Sequence, residues 1–269
     1  MAILNESTVS VKRSFNAPAK AVFEAISKGV LFRTCGAKPD SIQIDFREGG
    51  NWQVDFDCHL CGGKFVSVVP HSRIAFTWDG ESVVTISLTE AKGITHMHLL
   101  HEGIKLDGRV KDIDWGWRDG VNDFTHQITR SLKVQREIDA PLEKVYELCA
   151  GPQFFLRVGA IKGEGSADFR VGGRYFFHVT GCHKGDEGGD FVEGEFTNIQ
   201  PNYQVVFTWS TMTQFGPTGE TLVSMKFEKQ GDEKTLVTLI HSGFPSEDIK
   251  KDHEQGWTQI FEEFRQEHK

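Results

Sequence analysis

The chain has 269 residues, with 30 Lys plus Arg against 38 Asp plus Glu and a formal net charge of −8 at pH 7. That length exceeds what one hydrophobic core usually covers and halves into units near the commonest domain size. The acidic balance repels phosphate backbones and anionic headgroups, and no basic run exceeds the pair Lys12 and Arg13, so neither nucleic acid nor membrane is an expected partner.

Val9 to Phe15 alternates as a strand, and Pro18 then opens a helix whose apolar stripe is Ala21, Val22, Ala25 and Ile26. After the hexapeptide DFREGG (Asp45 to Gly50), Asn51 to Asp57 alternates without a fault, placing Trp52, Val54 and Phe56 on one face. Cys58-His59-Leu60-Cys61 has metal-knuckle spacing, yet no second CxxC or His pair completes four ligands. Gly62 and Gly63 follow between strand-like runs, so a hairpin turn is expected there and no metal. Ile74, Phe76 and Trp78 share a face in the next strand, and Val83 to Leu88 and Ile94 to His101 continue an antiparallel meander. His96 and His98 lie together on its outer face, while His101 falls two residues after Leu99 and shares the inner one. Ile113, Trp117, Val121, Phe124, Ile128 and Leu132, spaced by three or four, predict a long closing helix.

The same order then repeats. DFRVGG (Asp168 to Gly173) lies 123 positions after DFREGG, FTW at Phe207 to Trp209 lies 131 after Phe76 to Trp78, and HSG at His241 lies 140 after HEG at His101. The register slips around His183 to Asp190 and around Ser210 to Glu220, where composition is that of hairpin tips. Two tandem domains are therefore expected, residues 1–131 with net charge −1 and residues 132–269 with −7. A short linker, Thr129 to Lys133, continuous with the first closing helix, suggests a fixed arrangement, hence a monomer forming an intramolecular pseudo-dimer. Five cysteines (35, 58, 61, 149 and 182), odd in number and unmatched between copies, fit reduced thiols in a cytoplasmic protein. The absence of an 18-residue apolar run and of a basic segment leading into one agrees with that location.

Each copy reads as an α+β domain in which a curved antiparallel sheet grips one long C-terminal helix, a geometry that leaves room for a cavity between them. The Ala-Pro helix start, DFREGG or DFRVGG, the FTW strand, HEG or HSG, and Gly-Trp in the last helix resemble the activators of heat-shock protein 90 ATPase, of the START-like, helix-grip superfamily. The resemblance spans both copies and implies tandem START-like domains. It also implies a superfamily of lipid carriers, polyketide cyclases and chaperone regulators. The eukaryotic co-chaperone carries a distinct N-terminal domain, which this sequence is expected to lack.

A binding protein for a small apolar or amphipathic molecule is thus the leading expectation. A protein-interaction module, with a chaperone or another protein as partner, and a cyclase- or hydrolase-type enzyme are the alternatives. Facing assigns Trp52, Phe56, Phe76, Trp78 and Trp117 to the sheet–helix space of the first copy, and Tyr175, Phe177, Phe207, Trp209 and Trp257 to that of the second, with His101 and His241 as polar groups. At least one copy is expected to keep an open cavity. Plain core packing of the rings and hydrogen-bonded structural histidines are the competing readings. No GxSxG, HExxH, phosphate-binding loop or dinucleotide fingerprint occurs, and Asp55 and Asp57 face away from Trp52, so no catalytic residue and no cofactor are expected.

Overall fold

The computed structural model describes residues 6–57, 59–80, 82–105, 110–150, 154, 160–179 and 190–267. Cys58, Cys182 and residues 183–189 of the first expected register slip lie outside them. The chain divides into two units, Met1–Ile128 and Thr129–Lys269.

In the first unit, strand β1 (Glu6–Phe15) leads to helices α1 (Ala19–Ser27) and α2 (Val30–Thr34). Strands β2 (Gln43–Ile44), β3 (Asn51–Asp55), β4 (Leu60–Val69), β5 (Arg73–Trp78), β6 (Ser82–Ala91) and β7 (Ile94–Lys105) follow, then helix α3 (Val110–Ile128). The seven strands form one sheet in the order β1-β7-β6-β5-β4-β3-β2. It is a meander whose last strand returns to pair with its first. Its inward positions (Val9, Val11, Trp52, Val54, Phe76, Val84, Leu99) join Val22 and Ile26 of α1, Phe32 of α2, and Trp117, Val121 and Phe124 of α3 in one core.

The second unit repeats the plan with β8 (Ser131–Ile138), α4 (Leu142–Ala150), β9 (Ala160–Ala167), β10 (Arg174–Val179), β11 (Asp190–Gln200), β12 (Gln204–Thr213), β13 (Gly216–Pro217), β14 (Thr221–Gly231), β15 (Lys234–Ser242) and α5 (Glu247–Glu267). The sheet order is β8-β15-β14-β12-β11-β10-β9, with β13 paired to β12. Tyr175, Phe177, Phe207, Val223 and Leu239 pack there against Trp257, Phe261 and Phe264 of α5. The protein is therefore α+β, two tandem helix-grip units each closed by a C-terminal helix.

Three local expectations shift. Pro18 is the cap of α1, not its first helical residue, and the Ala19 amide donates instead to Glu90 Oε2 (2.8 Å). The strand carrying Trp52 and Val54 ends at Asp55, so Phe56 stands just past it. Helix α3 stops at Ile128, and Leu132, which continues the helical spacing, belongs to β8. The segment expected to prolong the helix is thus mostly strand: Leu132 fits both periods, but Leu132 and Val134 are buried at spacing two and pair with β15.

The repeated hexapeptide is a turn whose chemistry explains its recurrence. Asp45 N–H donates to Asn51 O, Gly49 N–H to Phe65 O and Gly50 N–H to Arg47 O; Asp168 N–H to Arg174 O, Gly172 N–H to Phe196 O and Gly173 N–H to Arg170 O reproduce the set. Gly49 and Gly172 adopt φ of 76° and 78°, the left-handed region that favours glycine. A Cβ on Gly50 or Gly173 would collide with the carbonyl of Asp45 or Asp168. The motif therefore serves the backbone.

Candidate functional site

In both units the inward aromatics meet a hydrogen-bonded chain running from helix to sheet. The Trp117 indole N–H of α3 donates to His101 Nδ1 (3.0 Å), and His101 Nε2 meets Ser82 Oγ (2.8 Å), which reaches Trp78 O (3.3 Å). In the second unit Trp257 of α5 donates to His241 Nδ1 (3.0 Å), His241 Nε2 meets Thr221 Oγ1 (2.7 Å), and Thr221 Oγ1 donates to Trp209 O (2.7 Å). An indole N–H can only donate, so Nδ1 of each imidazole accepts and the neutral ring carries its proton on Nε2. That proton is donated to the hydroxyl, whose own proton goes to the carbonyl. Every polar atom along the chain has its complement.

Protonation of the ring would set a second N–H against the indole N–H. Burial already pushes His101 down to about 4, against a smaller upward pull from the Asp79 carboxylate. His101 and His241 thus stand as neutral pins joining helix to sheet.

Rings gather on these pins. In the first unit Trp52, Phe76 and Trp117 are buried, whereas Phe56 and Trp78 are half-buried and stack with centroids 5.9 Å apart. Trp78 contacts Trp52 (5.0 Å) and Trp117 (5.3 Å), and Phe32 of α2 stacks on Trp52 at 4.8 Å. The Trp52 indole donates to Thr77 O (3.0 Å); Tyr175 makes the matching bond to Thr208 O (2.6 Å), as a neutral phenol because burial pushes its pKa up. In the second unit Tyr175, Phe177, Phe207, Trp209 and Trp257 are all buried. Phe177 meets Trp209 edge-on at 5.7 Å, and Trp209 lies 5.2 Å from Trp257.

Two features of the second unit went unnoticed in the sequence. Phe154 stacks parallel to Trp257 at 6.4 Å. His253, one turn before Trp257 on α5, lies against His241 (5.1 Å) and Trp209 (6.3 Å), and the i, i+4 spacing could have revealed it. Its Nδ1–H donates to Ile249 O (2.9 Å), and burial lowers its pKa, so the ring is neutral with Nε2 as an acceptor. Beside it the Trp209 indole N–H is buried and has no hydrogen-bond partner among the described residues. His96 and His98 are tied to Ser14 (3.1 Å) and Ser10 (2.9 Å), and Asp55 pairs with Lys38 at the surface (2.8 Å).

Residues 16–133 and 139–269 each match the family described as Activator of Hsp90 ATPase homolog 1-like protein. The chain belongs to this family. Among solved structures, the chain is similar to protein MLL2253 from Mesorhizobium loti, with 22% identity over 51% of this chain and 95% of that one and a TM-score of 0.41. PFC0360w, an HSP90 activator from Plasmodium falciparum, shows 21% identity over 48% of this chain and 88% of its own, with a TM-score of 0.37. DynU16, a putative protein in the dynemicin biosynthetic locus, aligns over 97% of this chain and 99% of its own at 15% identity and a TM-score of 0.39. No curated protein matches. Among the described residues no helix is long and apolar enough to cross a membrane.

Proposed function

We propose that the second unit binds a small apolar or amphipathic molecule between its sheet and α5, with a hydroxyl or carbonyl oxygen of that molecule accepting from Trp209. The observation that carries this reading is the buried, unpartnered Trp209 N–H. Buried indole N–H groups usually find an acceptor, and one left without it costs about 1–3 kcal/mol. Phe177, Trp257 and the neutral His241 and His253 surround it. Such walls suit an uncharged apolar body with one polar end; a carboxylate would face no cation among these four side chains.

Native mass spectrometry of freshly purified protein, set against the denatured mass, tests the reading. An adduct of a few hundred daltons, lost on denaturation and absent from Trp209→Phe, is the expected result. If the native mass is bare and uncharged amphiphiles with one hydroxyl or carbonyl do not change the tryptophan fluorescence on titration, the reading fails.

A second reading, docking of a protein partner, is favoured by a different surface. Phe176 and Phe191, on neighbouring strands β10 and β11 and facing away from the core, are 47% and 55% exposed. Pull-down with Phe176→Ser and Phe191→Ser as controls separates the two readings, because neither residue borders Trp209.

A further inference from the structure

The hairpin between β3 and β4 holds a motif that the ring-and-pin architecture does not use. In the fold, the turn after β5 returns beside it and brings a third donor from outside the local sequence. A His59 ring nitrogen, Cys61 Sγ and an Asp79 carboxylate oxygen lie within 4.8 Å of one another. We propose that these three side chains form a binding site for a divalent cation of the zinc type, with one coordination position left open to solvent.

The donor set argues for that class. One imidazole, one thiolate and one carboxylate suit a borderline-soft cation rather than magnesium or calcium, which take oxygen ligands. In a tetrahedral zinc site the ligand atoms stand about 3.2–3.7 Å apart, given metal–ligand bonds of about 2.0–2.3 Å. His59 Nε2 and Asp79 Oδ2 are 2.9 Å apart, so the pair needs to open only slightly.

The carboxylate is held for the task. Asp79 N–H donates to Gly62 O (2.8 Å), and Gly62 N–H donates back to Asp79 Oδ1 (3.0 Å), which leaves Oδ2 turned to His59. Asp79 keeps a φ of 52°, an uncommon conformation for a residue other than glycine. Cys61 is buried on β4 opposite Val54, whereas His59 is mostly exposed, so the site opens from the interior wall to water on one side.

The second unit supplies an internal control. Matching hydrogen bonds, Lys64 N–H to Thr77 Oγ1 and Glu195 N–H to Thr208 Oγ1, align the two copies in this region, and that register puts Val192 where Cys61 stands and Ser210 where Asp79 stands. Among the described residues the trio occurs in the first unit alone, and it does not depend on the ligand reading of the second.

Binding would release one proton, from the Cys61 thiol, as the thiolate takes the metal; His59 would bind through the Nε2 lone pair with its proton on Nδ1. Asp79 exchanges its contact with His59 for the cation. The bound ion would fasten the β3–β4 hairpin to the β5–β6 turn, and its fourth position would hold water or an anionic oxygen.

The test uses the full chain, reduced and treated with chelator, then titrated with Co²⁺ as a spectroscopic probe and Zn²⁺ as competitor. One equivalent of Co²⁺ should produce a thiolate-to-cobalt charge-transfer band with tetrahedral d–d bands, displaced by one equivalent of Zn²⁺. Zn²⁺ should raise the melting temperature. Cys61→Ser should abolish the charge-transfer band, and His59→Gln should weaken binding roughly tenfold or more. Because His59 is exposed, that variant should melt at the same temperature as the parent when metal is absent, so lost binding cannot be ascribed to lost folding. A charge-transfer band that survives in Cys61→Ser, undiminished affinity in His59→Gln, or no saturable cobalt spectrum overturns the proposal.

Discussion

Replacing His101 with Gln isolates what the buried pin contributes to stability as pH changes. The glutamine carbonyl oxygen can accept from Trp117 and its amide can donate to Ser82, so the variant imitates the neutral imidazole while removing its titration. The wild-type ring has a folded value of about 4 against 6.5 when unperturbed. The unfolded chain therefore takes up a proton as pH falls through 6.5, whereas the folded chain takes it up only near 4. Stability is fully present above 6.5 and is lost between 6.5 and 4, at about 1.4 kcal/mol per pH unit for one proton in mid-window. Integrated from pH 7 to pH 4, His101 accounts for about 3 kcal/mol. Urea denaturation of wild type and His101→Gln at several pH values should show Gln less stable at pH 7 through imperfect packing, with a shallower fall below pH 6.5 by close to one proton. An imidazole nitrogen titration by NMR reads the same group directly. A His101 midpoint at or above 6.5, or parallel pH profiles for the two proteins, would refute the neutral-pin argument.

Other substitutions probe the turn and the second pin. Gly50→Ala and Gly173→Ala should each destabilise by roughly 2 kcal/mol or more in thermal melts, because the added methyl meets backbone that cannot yield without breaking the turn. Trp257→Phe removes the indole donor to His241 Nδ1 and should cost more than Trp209→Phe, which removes an N–H that has no partner among the described residues, by about 1–3 kcal/mol in chemical denaturation. Equal losses would mean that the His241 bond contributes nothing. His126 is pushed down to about 3 by burial and by Arg13, so His126→Gln should also flatten the acid limb of the stability curve.

The duplication, the helix-grip plan and the inward rings were legible because each depends on a local period or a local backbone constraint. Alternation put Trp52 and Val54 on the inner face of β3, and the DFREGG and DFRVGG turns recur because the left-handed backbone at Gly49 and Gly172 favours glycine and crowded Gly50 and Gly173 leave no room for a Cβ. The helix stripe was equally clear up to Ile128, then failed at Leu132, where a spacing of four serves a strand as well. What no local rule carries is which polar atoms complete one another. His101 takes its acceptor and donor partners from Ser82 and Trp117, 19 and 16 residues away, while Asp79 comes to Cys61 from the turn beyond the next strand. The sequence alone determined which residues face inward, since that follows from chain geometry over a few residues. Only the tertiary structure decided that the two repeat-equivalent histidines are neutral pins, that Trp209 keeps an unanswered donor among the described residues, and that a lone CxxC hairpin acquires a carboxylate, because hydrogen bonds and ligand sets depend on distances between segments the chain brings together only when folded.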